Sequence, residues 1–191
     1  MSIQSQPPQC EPAEVLEAME RVNSAIAAAD SHSSMLSNVL AEMLDIFHCD
    51  RAWLLYPCDP DVDSFRVPME RTRPEWPGAA DQKLQIPADD FSRQVFRLCV
   101  ERGKPIAFSP GDIPVDAGLE MMDRFHIRSQ LLTSIHPPGD SAWVLGIHHC
   151  AEARRYDQAA DLFRAIGSRV ADGLMTFLAA RELRRSEEWF R

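Results

Sequence analysis

The chain has 191 residues, 45% of them hydrophobic and 26% charged, and a formal net charge of −9. That length supports one substantial core and is short for two. So acidic a chain lacks the basic footprint that nucleic acid and anionic membranes require, and no stretch approaches the ~20 apolar residues of a bilayer span.

Residues 1–11 are polar and rich in Pro, Gln and Ser, without the basic and apolar regions of a signal peptide. They are expected to be a disordered tail in front of a cytoplasmic domain. Val15, Met19, Val22 and Ile26 then make one apolar stripe on a first helix. Asp30-Ser31-His32-Ser33 breaks the chain and caps a second helix, which carries Leu36, Val39, Leu40, Met43 and Phe47. Asp50 to Tyr56 reads as a mostly buried strand that ends at Pro57. Phe65, Val67 and Met69 alternate in a second strand, where Pro68 signals a sheet edge or a bulge.

A third helix starts at Ala88-Asp89-Asp90 and carries Phe91, Val95, Phe96, Cys99 and Val100. A short strand over 105–108 follows, then a loop broken by Pro110, Gly111 and Pro114, then a short helix with Leu119, Met122 and Phe125. Two strands, 128–135 and 142–149, are joined by the turn Pro137-Pro138-Gly139-Asp140. Asp157 is placed to cap a long final helix with Leu162, Ile166, Val170, Leu174 and Phe177 on one stripe. Gly167 and Gly173 interrupt that helix, each costing about 1 kcal/mol relative to Ala; close approach of another helix would explain them, and exposed helix positions without a role are the alternative. The pattern passes without a break into the charged segment 179–191. The predicted fold class is α+β.

The five cysteines, Cys10, Cys49, Cys58, Cys99 and Cys150, are odd in number and scattered, with no Cys-x-x-Cys pair. Reduced thiols are expected, and neither a disulfide framework nor a structural zinc site. Walker, His-Glu-x-x-His and Gly-x-Ser-x-Gly signatures are absent.

Three blocks carry a resemblance: Asp50-Arg51-Ala52-Trp53-Leu54-Leu55-Tyr56-Pro57, the run from Val67 to Pro74, and Trp143-Val144-Leu145-Gly146-Ile147-His148-His149-Cys150. With Arg154-Arg155-Tyr156-Asp157 leading into the last helix, they resemble a GAF domain, a small sensory module of signalling proteins. They look particularly like the N-terminal GAF modules of bacterial sensor histidine kinases. The segment from Leu183 to Arg191 is similar to the lead-in to a PAS domain. The resemblance implies a GAF domain over 12–180 and a helical linker over 181–191 to a PAS domain, with a histidine kinase or diguanylate cyclase as output. It also implies an antiparallel sheet of five to six strands, with the terminal helices on one face and short helices enclosing a pocket on the other. A homodimer through the terminal helices follows from the same resemblance.

By similarity to the phytochrome branch of the family, the pocket face carries Tyr56, Gln130, Leu132, Ser134 and His148. The helix face takes Trp53, Leu55, Leu131, Thr133, Leu145 and Ile147. These polar groups would orient an unidentified small molecule, or else satisfy one another in a closed core. His148 and His149 point to opposite faces and do not grip one metal ion, so haem and zinc are disfavoured. Covalent bilin is disfavoured as well, because the stretch 108–118 has neither the Cys nor the nearby His of the phytochrome-like pattern. The expected role is a non-catalytic sensory module. The alternatives are a structural dimerisation domain without ligand and a GAF-type methionine sulfoxide reductase, whose clustered cysteines are missing here.

Overall fold

The computed structural model describes residues 12–80, 82–108, 119–157 and 159–189. The expected tail, residues 1–11, and the stretch 109–118 lie outside the described residues.

Helix α1 (Pro12–Ala27) begins on a proline, whose missing N–H matters least at that position. It buries Ala18 and Val22, with Val15, Met19 and Ile26 packed beside them. Helix α2 (His32–Ile46) starts at a reciprocal cap. The Ser34 N–H donates to Ser31 Oγ at 3.1 Å, and the Ser31 N–H donates to Ser34 Oγ at 3.0 Å. Strands β1 (Arg51–Tyr56), β2 (Ser64–Thr72) and β3 (Gln85–Pro87) follow, then helix α3 (Asp90–Arg102). Asp89 caps α3 by accepting from the Ser92 N–H, and Gly103 at φ +58° ends it. After β4 (Ile106–Phe108) come helix α4 (Leu119–Arg124), strands β5 (Ser129–Ile135) and β6 (Trp143–His149), and helix α5 (Ala159–Trp189).

The strands form one six-stranded antiparallel sheet in the order β3-β2-β1-β6-β5-β4. Strand β3 has no counterpart in the sequence reading, because three residues give no alternation to detect. Pro68 is tolerated for both reasons foreseen. The β3 ladder covers only residues 64–66 of β2, and the β1–β2 register shifts between Leu54 and Tyr56, so Val67 and Pro68 stand opposite Leu55. Val100, expected on the apolar stripe of α3, is 43% exposed, and the stripe narrows to Phe91, Val95, Phe96 and Cys99.

Two apolar layers flank the sheet. On one side Val22, Leu40, Met43, Phe163, Ile166 and Leu174 of α1, α2 and α5 pack on Leu54, Leu145 and Ile147. On the other, Phe91, Val95 and Phe96 of α3 with Met122 of α4 pack on Trp53, Leu55, Leu132 and Val144. Each fully buried side chain of this size contributes roughly 1.5–3 kcal/mol.

Helix α5 has 31 residues and is about 46 Å long. Its first bonds run from the Ala159 and Ala160 N–H groups to the Tyr156 carbonyl, so Tyr156 rather than Asp157 opens it. A Cβ on Gly173 would run into the side chain of Met35 on α2, which is the helix approach expected. At Gly167 the close neighbour is instead the sheet, through Thr133 Cγ2. Burial ends near Leu174, and residues 181–186 are exposed on the same unbroken helix.

Candidate ligand cavity

Strand alternation brings Arg51, Trp53 and Leu55 of β1, Gln130 and Leu132 of β5, and Val144 and His148 of β6 to the face covered by α3 and α4. Together with Phe91, Val95 and Phe96 of α3 and Met122 and Phe125 around α4, they enclose a cavity with about 80 Å³ of free volume. Its wall is overwhelmingly apolar, and its few polar groups, Arg51, Glu70, Ser92, Gln130 and His148, come from β1, β2, α3, β5 and β6.

Trp53 and Gly146 are partners across the β1–β6 ladder. The indole lies where a Gly146 side chain would stand. That lets the Trp53 ring reach His148, with centroids 4.9 Å apart and planes tilted by 51°. Trp53 Nε1 and His148 Nδ1 are both enclosed, and neither has a hydrogen-bond partner among the described residues. Burial first, then the neighbouring Arg51 cation and His149, hold the His148 imidazole well below its usual pKa. It is therefore neutral at physiological pH.

Arg51 is 3% exposed. Its Nε donates to the Trp76 carbonyl at 3.0 Å and its Nη1 to the Phe125 carbonyl at 2.7 Å, with the guanidinium 5.8 Å from the centre of the Phe125 ring. Glu70 also faces the cavity. Its Oε2 accepts from the Ala80 N–H at 3.0 Å.

Of the five residues expected here, Gln130, Leu132 and His148 line the cavity, and Gln130 lies directly across from His148 in the β5–β6 ladder. Ser134 shares their face but stands beyond the cavity. Its hydroxyl donates to the Cys99 carbonyl at 2.8 Å, so it accepts from His136 Nε2 at 3.0 Å. The placement of Tyr56 is corrected. It lies on the opposite face, its ring 4.6 Å from that of Trp143 and its hydroxyl donating to Asp140 at 2.8 Å. That hydrogen bond, ahead of burial, raises the phenol pKa. Tyr56 borders an open cleft between the β5–β6 turn and the exposed part of α5.

Trp53 and Leu55 are corrected the other way, from the helix face to the cavity. The register pairs Leu54 with Leu145, so Leu54 shares the helix face and its neighbours 53 and 55 cannot. Arg51 and Trp53 escaped the sequence reading. The signal that would have found Trp53 is Gly146, a glycine inside a strand, which marks close approach by a large neighbour.

At the sheet end nearest α5 a second polar chain is fully satisfied. The Arg154 N–H donates to Ser129 Oγ at 2.9 Å, and Ser129 Oγ lies 3.1 Å from Tyr156 Oη. His149 Nδ1 lies 2.8 Å from Tyr156 Oη, and its Nε2 lies 3.2 Å from the Phe47 carbonyl. A carbonyl only accepts, so Nε2 carries the proton and Nδ1 accepts from Tyr156, which in turn accepts from Ser129. This chain ties α2, β5 and β6 to the lead-in of α5.

Cys49, Cys58, Cys99 and Cys150 are all buried as free thiols. Burial pushes Cys49 up to about 12 and Cys150 up to about 11. Cys99 is raised foremost by its hydrogen bond with Cys58, then by burial. Among the described residues no cluster of His, Cys, Asp and Glu is arranged to hold a metal ion, and no helix is long and apolar enough to cross a membrane.

No protein-family model and no curated protein sequence matches the chain. Solved structures do. The phycoerythrobilin-bound GAF domain from a cyanobacterial phytochrome superposes with a TM-score of 0.68 at 15% identity, covering 88% of this chain and 98% of that one. The blue-light-absorbing form of the Thermosynechococcus elongatus PixJ GAF domain gives 0.64 at 16% identity, over 82% and 90% of the two chains. The chromophore-binding domain of an unusual bacteriophytochrome from R. palustris gives 0.70 at 14% identity, over 91% and 65%. These likenesses establish the GAF fold.

They also correct the disfavouring of bilin. Neighbours on this fold carry phycoerythrobilin, phycocyanobilin or biliverdin. The expectation rested on one attachment pattern in the stretch 108–118, which says nothing of the cavity wall.

Proposed function

We propose that this chain is the sensory GAF module of a bacterial signalling protein and that its cavity takes a bilin. The reading is supported by the bilins on neighbouring structures and by the chemistry of the wall. Aromatic and aliphatic side chains suit a conjugated ring system. Trp53 Nε1, the neutral His148 and the Arg51 cation suit carbonyl and carboxylate acceptors. The observation that carries the reading is the pair of enclosed polar atoms, Trp53 Nε1 and His148 Nδ1, which find no partner among the described residues. A bilin, when bound, would supply visible-light absorption.

The cavity's free volume of about 80 Å³ is far below that of a tetrapyrrole. Entry therefore requires α3 and α4 to stand off the sheet. A ligand that favours the open packing shifts the population of the short-helix layer, and the sheet passes the change to α5. In this reading residues 12–180 are the sensory domain and 181–191 the connector to a PAS domain, with a histidine kinase or diguanylate cyclase as output. The module is cytoplasmic and homodimeric through α1 and α5, whose Leu16 and Leu183 are 61% and 62% exposed.

Titrating the purified protein with biliverdin and with phycocyanobilin tests this. Binding sharpens and shifts the visible band and raises the melting temperature with ligand concentration. If neither bilin changes the spectrum or the melting temperature, the reading fails and a structural dimerisation domain takes its place.

A further inference from the structure

We infer that the open cleft between the β5–β6 turn and the exposed part of α5 is a docking site for an acidic, amphipathic peptide segment of a partner protein. The cleft lies on the face of the sheet opposite the cavity and does not depend on what the cavity holds.

Tyr56 and Arg66 are partners across the β1–β2 ladder, and the Arg66 guanidinium lies 5.9 Å from the centre of the Tyr56 ring. Across the cleft α5 has left the core, and Arg181, Arg184 and Arg185 stand exposed along it. Four guanidinium groups thus line one cleft of a chain whose net charge is −9. Among the described residues none of the four forms an ion pair. Arg184 Nε donates to the Ala180 carbonyl, a neutral acceptor that leaves the charge in place. Two carboxylates share the lining, Asp140 and Glu182. Asp140 already accepts from the Tyr56 hydroxyl and the Ser141 N–H at 2.8 Å each, so the arginines remain in excess.

The rest of the lining sets the shape of the occupant. Pro137, Trp143, Met175 and Leu178 give the cleft an apolar half, which an inorganic anion would leave uncovered. Trp143 is 6% exposed, and its Nε1 has no partner among the described residues, which suits a carbonyl acceptor on the occupant. The free volume is about 1110 Å³, above the roughly 300–1,000 Å³ of small-molecule pockets. A peptide segment meets all three conditions: its carboxylates pair with the arginines, its apolar side chains cover the second half, and its length fills the space. Such a segment bridges the β5–β6 turn and α5, and so gives the outgoing helix a second input.

The competing role for these arginines is a solvated helix surface, which selects no partner. The probe is a fluorescein-labelled peptide that alternates pairs of glutamate and leucine, titrated into the full chain by anisotropy. Two control peptides carry glutamine for glutamate or serine for leucine. The glutamate–leucine peptide is expected to bind about 10-fold more tightly than either control, and to weaken as salt is raised. It also shifts the indole N–H resonance of Trp143, assigned by its loss in Trp143→Phe. Arg181→Glu combined with Arg184→Glu weakens the peptide about 10-fold or more. Arg155→Glu combined with Arg169→Glu, at exposed positions outside the cleft, changes its affinity far less. Equal binding of the glutamate and glutamine peptides, equal losses in the two double variants, or an unmoved Trp143 resonance overturns the inference. So does a dimer that becomes monomeric in the Arg181→Glu/Arg184→Glu chain, because a second copy then fills the cleft. Bilin titrations of that variant are expected to match the wild type, so the cavity reading stands or falls separately.

Discussion

The indole of Trp53 lies across the Cα of Gly146, its partner in the β1–β6 ladder, in the space a side chain at 146 would need. Three atoms of the ring stand closer to that position than any real Cβ contact, and the ring is walled in by the sheet and α3. Gly146→Ala is therefore expected to destabilise the domain by about 1–3 kcal/mol through overpacking. In a double-mutant cycle with Trp53→Leu most of that cost disappears. Additive urea-denaturation effects would show that the two residues do not share the space.

His148 and His149 both titrate below the usual histidine range in the folded state, with burial as the leading cause for each. The unfolded chain then binds more protons than the folded one between the lowered folded values and about 6.5. Stability is complete above about pH 6.5 and falls as the pH drops through that window. The slope of the urea midpoint between pH 7.5 and 5 measures it. Replacing His148 and His149 by Gln in the same chain should flatten the slope, and an unchanged slope would assign the acid sensitivity elsewhere.

Tyr156 relays between Ser129 and His149. Tyr156→Phe leaves His149 Nδ1 without its donor in a buried setting. A loss of about 1–3 kcal/mol is expected, with faster amide exchange in the first turns of α5 as the local signature. Global destabilisation without that local change would argue against the network as the anchor of α5.

Tyr56→Phe should behave oppositely. Its hydroxyl serves an exposed hydrogen bond to Asp140 on the face away from the cavity. Its removal is expected to cost no more than about 1 kcal/mol and to leave bilin titrations unchanged. A large drop in bilin affinity would return Tyr56 to the ligand face.

The four buried thiols are expected to resist alkylation in the native protein, because burial and the high pKa values of Cys49 and Cys150 suppress the thiolate. Iodoacetamide labelling followed by mass spectrometry should modify Cys49, Cys58, Cys99 and Cys150 only after denaturant is added. Rapid native labelling at Cys58 or Cys99 would mark the apolar layer on the α3 side of the sheet as open.

Much of the architecture was legible along the chain. Helical stripes such as Val15-Met19-Val22-Ile26, breakers such as Pro137-Pro138-Gly139, and the Ser31 cap are local signals, decided by neighbours a few residues away. Among the described residues they located all five helices and five of the six strands. The resemblance then supplied the two-faced sheet and correctly placed Gln130, Leu132 and His148 towards the short helices.

What local signals could not decide was the facing of β1. Its first five residues are buried whichever way they point, so the run Arg51-Ala52-Trp53-Leu54-Leu55 offers no polar side from which to count. Only the pairing of Leu54 with Leu145 sets the parity, and that pairing joins segments about 90 residues apart. With it Tyr56 left the cavity, and Arg51 and Trp53 entered it. The composition of the wall is a property of register between distant strands, because a one-residue difference moves every side chain to the other face of the sheet.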